Sequence, residues 1–540
     1  MRTSGQLVAG SQRTSAPSPG ARWRWLAAIA WVLAAVAGFA VYLRLASTRA
    51  VNSDGSSQAL QAWDILHGNV LLHDWALRDA SLYTIDTSEY VLIEMAHGLS
   101  AGVVQIGAAV TYTLAVLLAA ALAKGAATGR EAAVRMLLAA GIMLAPQLDS
   151  GTNVLLSSPD HMATSVPVML ALLILDRGPR RWYVPAAVTV LLAWSVIGDQ
   201  LVLVVAILPL IAVCAVRVVQ TMARRRAPWR ENRQELALAA GGVVAALVGV
   251  AAPHVIRALG GYQMLPLDSS FSPLHTILGH NVPITGDGFL LLGGAYFPGL
   301  PASAQTWFVI LHVVGVALAA LGVAVTAWRF FRGEALVPQL LLVGIVLNVA
   351  AYALGTHAII LPNTREMAPV LPLSAALAGR QLPGLLAGRT RAVRTAVAGV
   401  LGLVLAGYLA GLGLELTAPA APPQNARLTA WLTQHRLGTG LSGYWEGSVS
   451  TLTSGERATM RPVVVKNGRI APAASNVKTG WFDPARSSAD FVVLAPVIPG
   501  YPGFTDRKAV IATFGEPART YHVGPYTILQ WRKNLLADMR

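Results

Sequence analysis

A chain of 540 residues that is 54% hydrophobic and only 12% charged would, as a soluble protein, expose large apolar patches, so a water-soluble multidomain enzyme is excluded. The formal charge of +15 does not mark a nucleic-acid binder, because the basic residues cluster in short loops between apolar runs and form no stripe interleaved with aromatics. Cys214 is the only cysteine and lies inside an apolar run, which excludes an intramolecular disulfide and a thiolate metal site.

Residues 1–24, rich in Ser, Gly, Pro and Arg, read as a disordered cytoplasmic tail. An apolar run over 25–45 follows Arg22 and Arg24; it is too long for the core of a cleaved leader and reads as a first span. Further spans are predicted near 98–122, 132–147, 161–175, 183–197, 200–216, 236–254, 305–328, 336–356, 365–379 and 395–415, giving about eleven transmembrane helices. Small-residue pairs such as Gly241 and Gly242 serve helix packing there. With the N-terminus inside, the basic groups around Lys124/Arg130/Arg135, Arg177/Arg180/Arg181, Arg224–Arg233, Arg329/Arg332 and Arg380/Arg389/Arg391/Arg394 all fall on the cytoplasmic side. An odd number of spans then leaves the C-terminus outside.

The predicted architecture is therefore an all-α polytopic bundle in the cytoplasmic (plasma) membrane over 25–418, with external loops at 46–96 and 257–304. A small extracytoplasmic α/β domain follows over 419–540. Pro419, Pro422 and Pro423 form its linker. Asn425–His435 reads as an amphipathic helix with Leu428, Trp431 and Leu432 on one face, and strands are predicted at Arg461–Val465, Asp490–Leu494, Ala509–Ala512 and Tyr526–Trp531.

The first external loop carries the chemistry. Asp54 lies a few residues beyond the first span, and Ser56 to His67, with Leu60 and Trp63 among its apolar positions, predicts a short amphipathic helix along the interface, ended by Gly68-Asn69. A carboxylate there suits a general base that takes a proton from a hydroxyl, or a helix N-cap. Trp75 and Arg78 follow as interface anchors or as contacts to a sugar or carrier. Glu94 and His97, spaced i, i+3, fall on one face of the second predicted spanning helix as a metal-ligand or cavity-lining pair. Ser158-Pro159-Asp160-His161 opens another span: His161 suits a phosphate, while Asp160 suits a second acid, a partner that fixes the His161 tautomer, or a cap. Asp149, at the end of the preceding span, is a weaker candidate. Arg365, in Leu361-Pro362-Asn363-Thr364-Arg365-Glu366, is a rare external cation whose fork suits phosphate oxygens; lipid headgroups or Glu366 are its alternative partners.

An apolar first helix, an Asp just outside it, a short helix ending near Gly68-Asn69 and a later Arg at a Pro-containing helix start resemble the C-type membrane glycosyltransferases. The likeness is greatest to the polyprenyl-phosphate-sugar-dependent branch, which includes protein O-mannosyltransferases and aminoarabinose transferases. The resemblance implies a catalytic Asp54 in the first loop, an extracytoplasmic C-terminal part, and transfer of mannose or arabinose from a polyprenyl-phosphate carrier to an extracytoplasmic glycan, lipid or protein. Many members carry two adjacent acids in this loop, whereas here Gly55 follows Asp54; a divalent cation is consequently left open as a cofactor, and no metal ligands are assigned. The alternatives are a polytopic transporter or lipid flippase, disfavoured because the two halves show no repeat, and a non-catalytic scaffold for envelope polymers.

With Cys214 the only native cysteine, and inside an apolar run, the orientation is testable with introduced cysteines. In intact cells a membrane-impermeant maleimide should label Ser487→Cys and should label Ala227→Cys only once the inner face is opened. The reverse pattern overturns the threading.

Overall fold

The computed structural model describes residues 19–78, 80–144, 148–178, 181–225, 229–266, 270–497 and 503–539. Residues 1–18 of the expected tail lie outside them, as do Arg180, Arg226 and the side chains of Asp149, Arg224, Arg225 and Arg230. Among the described residues each of the eleven apolar runs is largely helical. α1 (Pro19–Ala46) is followed by α2 (Ser53–Leu66), β1 (Trp75–Leu77), a π-helical turn at Tyr83–Thr87 and α3 (Ser88–His97). The bundle continues with α4 (Ala101–Lys124), α5 (Gly129–Ile142), α6 (Leu148–Leu155), α7 (Asp160–Arg177), α8 (Val184–Gly198), α9 (Leu208–Arg225) and α10 (Arg233–Ala258). β2 (Gln263–Met264), α11 (Leu274–Thr276) and α12 (Val282–Leu292) fill the second long loop, before α13 (Ala304–Leu311), α14 (Val313–Arg329), α15 (Leu336–Leu354), α16 (Val370–Leu385) and α17 (Arg391–Thr417).

Among the described residues seven helical stretches are long and apolar enough to cross a membrane: Trp25–Ala46, Ala101–Lys124, Leu203–Ala223, Arg233–Ala258, Ala304–Arg329, Leu336–Leu354 and Arg391–Thr417. The chain is a multi-pass membrane protein. α16 runs through the centre, buried from Val370 to Gly379, while α1 and α17 show Leu33, Val36, Val400 and Leu403 on the outside, as helices facing lipid do. Close helix approach depends on small residues: a Cβ on Gly322 would meet the backbone of Ala378.

The C-terminal region holds α18 (Ala426–Gln434), α19 (Tyr444–Ser454) and α20 (Arg507–Phe514) around a six-stranded sheet of order β5-β4-β3-β7-β9-β8. Its strands are β3 (Thr439–Ser442), β4 (Thr459–Lys466), β5 (Arg469–Pro472), β7 (Phe491–Leu494), β8 (Arg519–Val523) and β9 (Tyr526–Gln530), and β6 (Val477–Lys478) leaves the sheet. β3 lies parallel to β4 and β7, and the outer pairs are antiparallel. The period-two rule is visible in β7, where Phe491 and Val493 join the core with Leu428 and Leu432 of α18, while Val492 and Leu494 face Val510 and Phe514 of α20.

β6 instead joins a three-stranded sheet of order β2-β1-β6. This small sheet ties the first loop, the loop after α10 and the C-terminal region together, with Trp75 opposite Lys478 and Ala76 opposite both Val477 and Gln263. Lys478 Nζ donates to Asp64 Oδ1 at 2.6 Å, and Trp75 Nε1 donates to Asp64 Oδ2 at 2.9 Å.

Four expectations are corrected. The strand expected at Ala509–Ala512 lies inside α20, because Asp506 caps a helix there by accepting from the Ala509 amide at 2.8 Å. The helix expected along the interface begins at Ser53 and is buried from Ser53 to Ala62, since α19 covers it through Val449 and Leu452. Glu94 and His97 do not lie on the second spanning helix: Gly98, at φ +67°, ends α3 before α4 begins. Trp75 is 1% exposed and packs edge-on against Trp481, so its ring is spent on the core and is closed to a sugar.

Gly55 shows how tight α2 is held. A Cβ there would stand 2.7 Å from Val104 Cγ1 and 3.0 Å from Ser158 Cβ. Gly55→Ala should destabilise by about 1–3 kcal/mol through overpacking, less the roughly 1 kcal/mol that alanine gains inside a helix. In thermal unfolding, Gly55→Ala with Val104→Ala should cost less than the two singles added; strict additivity overturns the contact.

Candidate active site

The first turn of α2 is set by Asn52, whose Oδ1 accepts from the Gly55 amide at 2.8 Å. Asn52, not Asp54, is the cap. The Asn52 amide nitrogen donates to Ser157 and Ser158 at 3.1 and 3.3 Å, which anchors the turn to the segment that opens α7. The Asp54 carboxylate is thus left for long-range partners.

Those partners come from three parts of the chain. Arg365 Nη1 donates to Asp54 Oδ2 at 2.8 Å and stands 3.0 Å from Asp160 Oδ2. Arg78 Nη1 lies 3.5 Å from Asp54 Oδ1, and Tyr444 of α19 donates its hydroxyl to the same oxygen. Asn476 Nδ2 donates to the Tyr444 hydroxyl at 2.8 Å. Asp54 is only 6% exposed, whereas the side chains of Arg78 and Arg365 are 49% and 25% exposed. Burial pushes the Asp54 carboxyl up, but Arg365, Arg78 and the hydrogen bonds from Tyr444 and Arg365 outweigh it, so Asp54 titrates below its ordinary range.

Arg365 lies in the 3-10 turn Leu361–Met367 before α16. Its carboxylate partners are Asp54 and Asp160, while Glu366 accepts from His357 Nδ1 at 3.1 Å instead. Asp160 opens α7 at φ +47°. His161 Nδ1 donates to Asp199 Oδ2 at 2.8 Å and its Nε2 is 3.8 Å from Asp160 Oδ1. Asp199 therefore fixes the imidazole, the part that sequence reasoning had offered to Asp160. Thr164 Oγ1 and the Leu201 amide also donate to Asp199.

Of the residues singled out from sequence, the fold brings together Asp54, Arg78, Asp160, His161 and Arg365. It does not bring Trp75, Glu94 or His97 to them. Glu94 is buried and His97, at the end of α3, is exposed, so the i, i+3 pair lines no common cavity, and burial followed by Glu456 pushes the Glu94 carboxyl up to about 8. Among the described residues no group of three or more His, Cys, Asp or Glu side chains is arranged to hold a metal ion, and the acids nearest the centre are satisfied by Arg365. Four residues were missed: Tyr444, Asn476, Asp199 and Asp86. Asp199, an acid between two apolar runs, had a readable signal. Asp86 is buried in the Tyr83–Thr87 turn, where burial, Asp160 and Glu89 push its carboxyl well up.

The sequence matches no protein-family profile and no curated protein. The structure is similar to that of ArnT from Cupriavidus metallidurans in the apo state, with TM-score 0.51 and 14% identity over 94% of this chain and 98% of that one. The same ArnT bound to undecaprenyl phosphate gives TM-score 0.51 and 15% identity at the same coverage. The Archaeoglobus fulgidus oligosaccharyltransferase with zinc and sulfate aligns at TM-score 0.47 and 13% identity, over 86% of this chain and 67% of that one. The chain shares the fold of ArnT along nearly the whole of both chains.

Glu94 supplies a pH test. Its folded pKa of about 8 lies above the ordinary 4.5, so the native state holds the extra proton and stability falls as pH rises through that window. Glu94→Gln should raise the unfolding temperature more at pH 8 than at pH 5; an equal gain at both overturns the assignment.

Proposed function

We propose that this protein is a membrane glycosyltransferase that moves a sugar, mannose or arabinose foremost, from a polyprenyl-phosphate carrier to a hydroxyl of an extracytoplasmic acceptor. The observation that carries this reading is the buried Asp54 beneath two partly exposed arginines, Arg78 and Arg365. A phosphate at the rim meets guanidinium forks, and a hydroxyl beside it meets a carboxylate. The fold shared with ArnT, crystallised with undecaprenyl phosphate, supports a polyprenyl-phosphate donor.

In the step proposed, the acceptor oxygen forms a bond to the anomeric carbon as the bond from that carbon to the phosphate oxygen breaks, its electron pair leaving with the phosphate. Asp54 takes the acceptor's hydroxyl proton. Arg365 and Arg78 compensate the charge that grows on the departing phosphate, and His161, held by Asp199, stands at the far side of Asp160 as a further phosphate contact. The carrier's tail lies in the bilayer and the site opens outside the cytoplasm, in the orientation read from the loop charges.

Transport fits less well. Where α7, α8, α9, α15 and α16 meet, the remaining void measures about 10 Å³ and is lined almost wholly by aliphatic side chains. At the end of the bundle away from Asp54, Arg380 pairs with Asp176 at 2.6 Å, and Gln381 accepts from Arg329 and donates to Glu334.

Membranes supplied with a panel of radiolabelled polyprenyl-phosphate sugars test the proposal. Asp54→Asn should lower transfer by about 10²–10⁴-fold, the share of a general base. Equal product from wild type and variant removes Asp54 as base, and no product from any donor removes the transferase reading.

A further inference from the structure

We propose that Tyr444 is a positioning residue for Asp54, so that the C-terminal region is a working part of the site and not an appended module. This rests on the transferase reading above. A carboxylate held at one oxygen can still swing about its Cβ–Cγ bond. Asp54 is held at both: Arg365 takes Oδ2, and Tyr444 takes Oδ1. The two contacts together fix the carboxylate plane.

Tyr444 is itself fixed from several sides. Ser53, the residue before Asp54, donates its hydroxyl to the carbonyls of Tyr444 and Trp445 at 2.9 and 2.8 Å. Asn476, in the left-handed region at φ +57°, donates to the phenol oxygen and thereby polarises the O–H toward Asp54. Preceding Tyr444, Gly443 leaves no room for a side chain, since a Cβ there would stand 2.7 Å from Phe504 Cβ. Burial and the neighbouring Asp54 push the phenol well up, so it remains a donor throughout the working range.

Arg78 depends on the same region. It follows β1 directly, and β1 is held by β6, which begins immediately after Asn476. Both partners of Oδ1 therefore depend on residues 444–478: Tyr444 belongs to that stretch, and Arg78 is placed by it through strand pairing. The charged and titratable groups facing Asp54 are then Arg365, Arg78, Tyr444 and, across Arg365, Asp160.

The sign of the effect follows. A hydrogen bond donated to a carboxylate favours its charged form, so losing the donor raises the carboxyl's pKa. The test is an isotope-edited infrared pH titration of the Asp54 carboxyl band, assigned by its loss in Asp54→Asn, in full-length protein in lipid nanodiscs. Tyr444→Phe should move the midpoint up by about one pH unit or more, and the acid limb of kcat/KM should move up with it while KM for the carrier changes less than kcat. Asn476→Ala should shift both in the same direction by a smaller step, and it serves as the reading if Tyr444→Phe does not fold. An unmoved midpoint in a folded Tyr444→Phe overturns the proposal, as does a lower kcat with no change in the pH profile. The infrared arm needs no turnover: a shifted midpoint in a protein that transfers no sugar would retire the function and leave the contact standing.

Discussion

A carboxylate taken out of water must be met by positive charge or donors, because an uncompensated buried charge costs several kcal/mol. Asp54 places that demand at the centre of this fold. Its donors lie 24, 311 and 390 residues away in the chain, on the segment after β1, on the turn before α16 and on α19. Meeting the demand forces the first loop, the helical bundle and the C-terminal region to converge on one point. The residues that would do chemistry are thus also among those that fix how the parts assemble.

Arg365 carries much of this load, since it serves two buried acids, Asp54 and Asp160. Neighbouring pairs keep other carboxylates from competing for it: Glu366 is occupied by His357, and Asp199 by His161. The small β2-β1-β6 sheet supplies the mechanical complement, with Lys478, Asp64 and Trp75 forming a second charge-assisted tie a short distance from the first. Hydrogen-bond ladders and ion pairs converge there from segments that share no local sequence.

Much of the helical framework was legible because bilayer-length apolar runs have few other uses, and among the described residues the predicted runs are largely helical, seven stretches of them long and apolar enough to cross a membrane. Asp54 and Arg365 were legible because a charge at the edge of such a run is conspicuous. Tyr444 and Asn476 were not, since a tyrosine and an asparagine in a mixed-polarity region carry no periodic or charge signal, and their role arises only from a contact across 390 residues. Glu94 and His97 misled because i, i+3 spacing says which residues share a helix face only while the burying surface is known; α3 is its own short helix, and only Glu94 turns inward. The run at Ala509–Ala512 failed for a related reason. A few apolar residues fit strand or helix equally, and the Asp506 cap decided it.

The lack of space at Gly55 reaches beyond stability. Val104 and Ser158 occupy the volume that any side chain at position 55 would need, and Asn52 stands 3.3 Å away on a third side. An acid at position 55, directly after Asp54, cannot be acquired here by a single substitution, whatever its chemical merit; it would need coordinated reduction of residues on α4 and in the turn before α7. Whether a second acid directly follows Asp54 is thereby settled by steric commitment in the neighbouring segments, and a route toward an adjacent pair of carboxylates would begin at Val104 and Ser158, far from the reacting atoms in sequence.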